Sequence, residues 1–78
     1  MLKAYVFLVT AERDDPELSI RIGGKYYPKR QHFADVNVEY NQTLENAEAV
    51  ANNRLLERFP EKDGWEYRQA KYKTAFEL

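Results

Sequence analysis

TLENAEAVANNRLLERFP, residues 43–60, is the stretch on which the fold turns. Leu44, Ala47, Ala51, Leu55 and Phe59 recur at helical spacing and form one stripe, with Val50 at its margin. The Thr43 hydroxyl can accept from an early backbone N–H, and Glu45 sits well at the positive end of a helix dipole. Arg54 and Arg58 suit the opposite end, and Pro60 cannot continue the helix. The segment therefore predicts one amphipathic helix, which needs an apolar surface to lie on.

The strands that offer such a surface lie on either side of it. From Leu2 to Thr10, Leu2, Ala4, Val6 and Leu8 share a face opposite Tyr5, Phe7 and Val9. Both faces are apolar, which predicts a central strand covered on at least part of both sides, with the helix on one. AERDDPE, residues 11–17, reads as a polar loop in which Pro16 cannot donate to a ladder. Leu18, Ile20 and Ile22 then alternate with Ser19 and Arg21, the pattern of a half-buried strand. It stops at Gly23-Gly24, a pair suited to the positive φ angles of a two-residue hairpin turn, and Lys25–Tyr27 is the returning strand.

Pro28 interrupts that strand, so 25–28 and 32–40 read either as one bent strand or as two. His32, Ala34, Val36, Val38 and Tyr40 alternate with Phe33, Asp35, Asn37 and Glu39, predicting one packed face and one wet. Beyond the helix, EKDG reads as a turn and WEYRQAKYKTAF as a last strand. Trp65 and Tyr67 fall on one face of it and Ala70, Tyr72, Thr74 and Phe76 on the other, with a phase slip near Arg68-Gln69 that predicts a bulge. The expectation is a small single α+β domain, residues 1–78, of order β-β-β-α-β: an antiparallel sheet of three to four strands with one helix packed on one face.

Composition bounds the rest. A chain of 78 residues buries about 60–65% of its unfolded surface, enough for one core. With 44% hydrophobic residues and 11 aromatics it is an ordered globule and not a disordered tail. It contains no cysteine, so packing alone carries stability, and the reading is a cytoplasmic protein. The apolar run AYVFLV is too short for a signal peptide, and nothing approaches the roughly 20 residues that span a membrane.

The same inventory is poor in chemistry. The single histidine, His32, lies in phase with Ala34 and Val36 and reads as a strand-end residue, and Ser19 has no base in sequence to activate it. Glu12, Asp14, Asp15 and Glu17 lack the order of a calcium loop, and the glycine pair lacks the spacing of a phosphate loop. Asn41-Gln42-Thr43 matches a glycosylation pattern, but those residues are needed to start the helix. No catalytic residue, cofactor or metal site is expected.

Binding is the better-supported expectation. Net charge is −1, and only residues 21–40 lean basic, with four Lys and Arg against two Asp and Glu. Tyr26, Tyr27, Lys29 and Arg30, together with Tyr67, Arg68, Lys71, Tyr72 and Lys73, mix aromatic faces with positive charge. Such a mixture suits a protein partner, since tyrosine and arginine dominate many interfaces, or alternatively stacked bases and phosphates. Asn52-Asn53 in mid-helix and Leu56 on its outer flank break local rules, and Asn53 with Leu56 forms a second candidate patch. A sheet edge offers a further route, to a partner or to a homodimer.

In size, lack of cysteine, thin catalytic inventory and one-helix-on-sheet plan, the chain resembles small phage-encoded proteins that disable a host enzyme, such as anti-CRISPR proteins and RNA polymerase inhibitors. The likeness is one of type and carries no residue roles. It implies a non-enzymatic inhibitor or adaptor that binds a protein.

Overall fold

The first twelve-residue strand is the axis on which the fold is built. The computed structural model describes all 78 residues. In chain order they form β1 (Lys3–Asp14), β2 (Ile20–Ile22), β3 (Lys25–Tyr27), β4 (Arg30–Asn41), α1 (Leu44–Arg58), a 3-10 turn at Glu61–Asp63, and β5 (Glu66–Glu77). The order is β-β-β-β-α-β: β4, β1 and β5 make a three-stranded antiparallel sheet with β1 in the centre, and β2 and β3 make a separate two-stranded ribbon. Pro28 does break the chain between β3 and β4, so these are two strands.

The helix forms as its pattern requires. The Thr43 hydroxyl accepts from the backbone N–H of Asn46, and the Phe59 N–H closes the last turn on the Leu55 carbonyl. Ala47, Ala51, Leu55 and Phe59 are buried against β1 and β5. Ala47 and Ala51 pack with Tyr5 and Phe7, Leu44 lies against the same cluster, and Phe7 is wholly buried. Toward Pro60 the core becomes aromatic. Phe59 packs its ring 4.8 Å from those of Phe33 and Trp65, centroid to centroid, and Arg13 lies over the Trp65 ring at 4.5 Å.

Several expectations are corrected here. β1 runs on through Asp14, so only Asp15–Ser19 connects it to the ribbon. β2 is not half-buried: Leu18, Ile20 and Ile22 are exposed. The phase slip in β5 near Arg68-Gln69 is present, and a second follows between Tyr72 and Thr74. Tyr72 consequently points to the helix side, while Thr74 and Phe76 point away from it.

The largest correction concerns β4. β1 and β4 pair without a slip from Lys3↔Asn41 to Asp14↔Arg30, which places Asp35, Asn37 and Glu39 opposite Val9, Phe7 and Tyr5. Those are the β1 residues beneath the helix. The clean apolar face of β4, expected to be the packed one, therefore faces away from α1. Val36 is 61% and Tyr40 63% exposed.

Candidate functional site

Each candidate surface follows from where the long strands end and which side the helix takes. At one end of the sheet Arg30 closes the β1–β4 hairpin. Its guanidinium lies 3.0 Å from Asp14, 3.3 Å from Glu12 and 3.5 Å from Glu66, and Glu12 also reaches His32 Nδ1 at 3.1 Å. The hydrogen bond to Asp14 leads in raising the Arg30 pKa above the ordinary guanidinium value. A raised pKa contributes stability that is complete below the ordinary value and lost only as pH climbs above it, so Arg30 stays charged and spent on carboxylates at any working pH.

Beyond this clamp the chain narrows into the ribbon. Asp15 organises the neck: its Oδ1 accepts from the Glu17 and Leu18 N–H groups at 2.9 and 3.3 Å, and its own N–H donates to the Lys29 carbonyl at 2.6 Å. Ser19 donates its hydroxyl to the Asp15 carbonyl at 2.6 Å and accepts from the Lys29 N–H at 3.1 Å. The serine is thereby explained as a tie across the neck. Past it, Ile20 pairs with Tyr27 and Ile22 with Lys25 on one side, and Arg21 with Tyr26 on the other, with Arg21 5.6 Å from the Tyr26 ring. Gly23 and Gly24 turn the ribbon with φ of 58° and 80°, as a tight hairpin requires. Every residue from Ile20 to Tyr27 is exposed, and the ribbon makes no extensive contact with another element.

The residues singled out from sequence occupy three separate places. Tyr26, Tyr27 and Lys29 lie on the ribbon and its neck, all exposed. Tyr67, Lys71 and Lys73 lie on β5 and are exposed. Tyr67 adopts φ 51°, a conformation seldom taken by a residue with a side chain, at the first slip of β5, and stands 74% exposed. Asn53 and Leu56 are exposed on the outer flank of α1. Three of the set are already engaged within the fold. Arg30 is held as described, Arg68 donates to the Phe59 carbonyl at 3.2 Å, and the Tyr72 ring packs within 6.4 Å of Tyr5 and 6.1 Å of Phe7. Lys25 and Lys29 on the ribbon and its neck and Lys71 and Lys73 on β5 have no carboxylate partner, as is also true of Arg13, Arg21, Lys62 and Arg68. Lys71 is in register with Leu8, about 20 Å along the strand from Asp14. These lysines do not make one continuous groove.

Two features escaped the sequence reading. One is a cleft between α1 and β4 lined by Val9, Asp35, Asn37, Ala51, Arg54 and Arg58. Both of its arginines are already matched, Arg54 to Glu39 at 3.1 Å and Arg58 to Asp35 at 3.7 Å. The other is the sheet face turned away from the helix, where Val36, Val38 and Tyr40 of β4, Val6 and Leu8 of β1, and Phe76 of β5 lie side by side. The alternation of β4 and the two apolar faces of β1 were its signals.

No helix is long and apolar enough to cross a membrane. No protein-family model, curated protein or solved structure matches the chain.

Proposed function

We propose that this chain is a non-enzymatic protein-binding module, acting as an inhibitor or adaptor of the kind phages encode, and that it engages its partner through the β2–β3 ribbon. The observation that supports this best is the uncovered side of that ribbon, where Ile20, Ile22 and Tyr27 lie with Lys25 and Leu18 stands just before them, on an element that makes no extensive contact with the rest of the fold. A lone two-stranded ribbon is marginally stable in water, so apolar side chains on it add little to folding and much to a contact. Tyr26 and Tyr27 add broad rings at small entropic cost, and the ribbon's outer edges can accept a partner's strand. The likeness in size and plan to phage inhibitors supports the narrower reading, and a cysteine-free chain fits a cytoplasmic partner.

Binding of nucleic acid is the second reading, favoured by Lys25, Lys29, Lys71 and Lys73, which lack a carboxylate partner on the ribbon, its neck and β5. Immobilised chain, exposed to extract from its native host, is expected to retain one dominant protein. Tyr26→Ala with Tyr27→Ala should release it while the circular dichroism spectrum is unchanged, because both rings are outside the core. Undiminished capture by that double variant overturns the ribbon assignment. A mobility shift at low salt that weakens steeply as salt rises would move the conclusion to nucleic acid.

A further inference from the structure

We propose that the open face of the three-stranded sheet packs against the same face of a second copy of this chain, so that two sheets stack into a sandwich with the helices outside. This goes beyond the ribbon's partner and uses different residues.

The patterning of β4 carries the inference. A strand with strict alternation normally turns its apolar side inward. In β4 the apolar side, Val36, Val38 and Tyr40, is outward, and the polar side, Asp35, Asn37 and Glu39, lies under the helix, where Arg54 and Arg58 answer it. A slip of one residue would exchange the two sides, so the unbroken pairing of β1 with β4 from Lys3↔Asn41 to Asp14↔Arg30 is what fixes the apolar side outward. The apolar side is thus half of a core whose other half is outside the chain. Val6 and Leu8 of β1 and Phe76 of β5 extend it across all three strands.

Area supports a partner of this size. A folded monomer of 9.3 kDa exposes about 5,000 Å². This chain exposes 5842 Å², an excess of roughly 850 Å², close to the about 800 Å² that each partner contributes to a standard interface. The ribbon and the open face share that excess. The face alone, three strands about 4.8 Å apart over the seven residues of Ala4–Thr10 at about 3.4 Å each, projects roughly 340 Å². Two such faces project roughly 700 Å², and the relief of their side chains raises the area toward the roughly 1,000 Å² at which a specific interface begins.

Charge and symmetry favour a second copy as the occupant. Among residues in register with Ala4–Thr10 on this face, only Lys71 is charged, and it lies on the edge strand β5, where its stem can cover apolar surface while its ammonium reaches water. A face of this kind meets its own copy with no buried like-charge pair. Stacked sheets lie about 10 Å apart, and either in-plane twofold axis places β1 over β1 of the partner.

Light scattering on the intact chain at micromolar concentrations should give twice the 9.3 kDa of one chain. Val38→Glu places a carboxylate on the face without touching the helix core, and is expected to weaken association at least about 100-fold with unchanged circular dichroism. Because the chain has no cysteine, Val6→Cys with a bismaleimide linker should yield a covalent dimer, whereas Asn53→Cys, on the outer flank of α1, should not. A monomeric mass for the unaltered chain, a dimer that survives Val38→Glu, or cross-linking at Asn53 in place of Val6 overturns the proposal. A dimer that survives would point to edge pairing. Tyr26→Ala with Tyr27→Ala should leave the dimer intact, which separates this test from that of the ribbon.

Discussion

Glu39 is the one charged side chain buried in the fold, 6% exposed, and it shows how this small core tolerates a polar strand face. Its Oε2 accepts from Asn37 Nδ2 at 2.7 Å and faces Arg54 Nε at 3.1 Å. Removing one partner of a buried charge costs more than the pair contributes, because the remaining charge is left desolvated. Arg54 is itself largely exposed, so water can replace part of what is lost. Arg54→Ala is expected to destabilise the fold by about 1–2 kcal/mol, read from urea unfolding. Glu39→Leu, which removes the buried charge itself, should cost less than Arg54→Ala; a larger loss would mean that the carboxylate holds the helix in place. None of this pairing was legible in sequence, since Glu39 reads there as the wet side of an alternating strand and its cation arrives from fifteen residues on. Arg30 and Arg68 belong to the same class. Each was a reasonable candidate for binding, and each is absorbed by an oxygen distant in sequence.

At the scale of elements, the helix was fully legible because periodicity, cap and stop agree over Thr43–Pro60. The ribbon was half legible. Its turn follows from Gly23-Gly24, but the alternation of Leu18, Ile20 and Ile22 says only that a side is apolar and not whether anything lies against it. β4 was misread for a related reason: a period of two assigns residues to faces without saying which face the helix takes. That choice is made by β1, whose Tyr5, Phe7 and Val9 side offers the larger rings, and the unbroken β1–β4 register then commits β4. The asparagine pair of α1 does break helix propensity with no folding role in view, since Asn52 and Asn53 are both exposed. Asn52→Ala with Asn53→Ala is therefore expected to raise stability by about 1 kcal/mol, measured by urea unfolding. No gain would mean that the amides make compensating contacts in the folded chain.

At the scale of the molecule, the chain is long and thin, 61 × 19 × 14 Å with a radius of gyration of 16.4 Å, where about 11.5 Å is usual for this length. Only 11 of its 78 residues are buried, so the core is small for the chain that builds it. Two surfaces account for this shape: a ribbon that reaches beyond the sheet, and a sheet with a helix on one side only. Both present apolar side chains to solvent, and both are explained if the chain works in contact with other protein. That the outward side of β4 is the apolar one is the premise on which this account rests.

The most direct test is isotope-filtered nuclear Overhauser spectroscopy on a mixture of labelled and unlabelled chain. The methyl groups of Val6, Leu8 and Val38 should show contacts between copies and none to Ala51 or Leu55 of the helix. Contacts from Val38 to those helix residues, with none between copies, would contradict it.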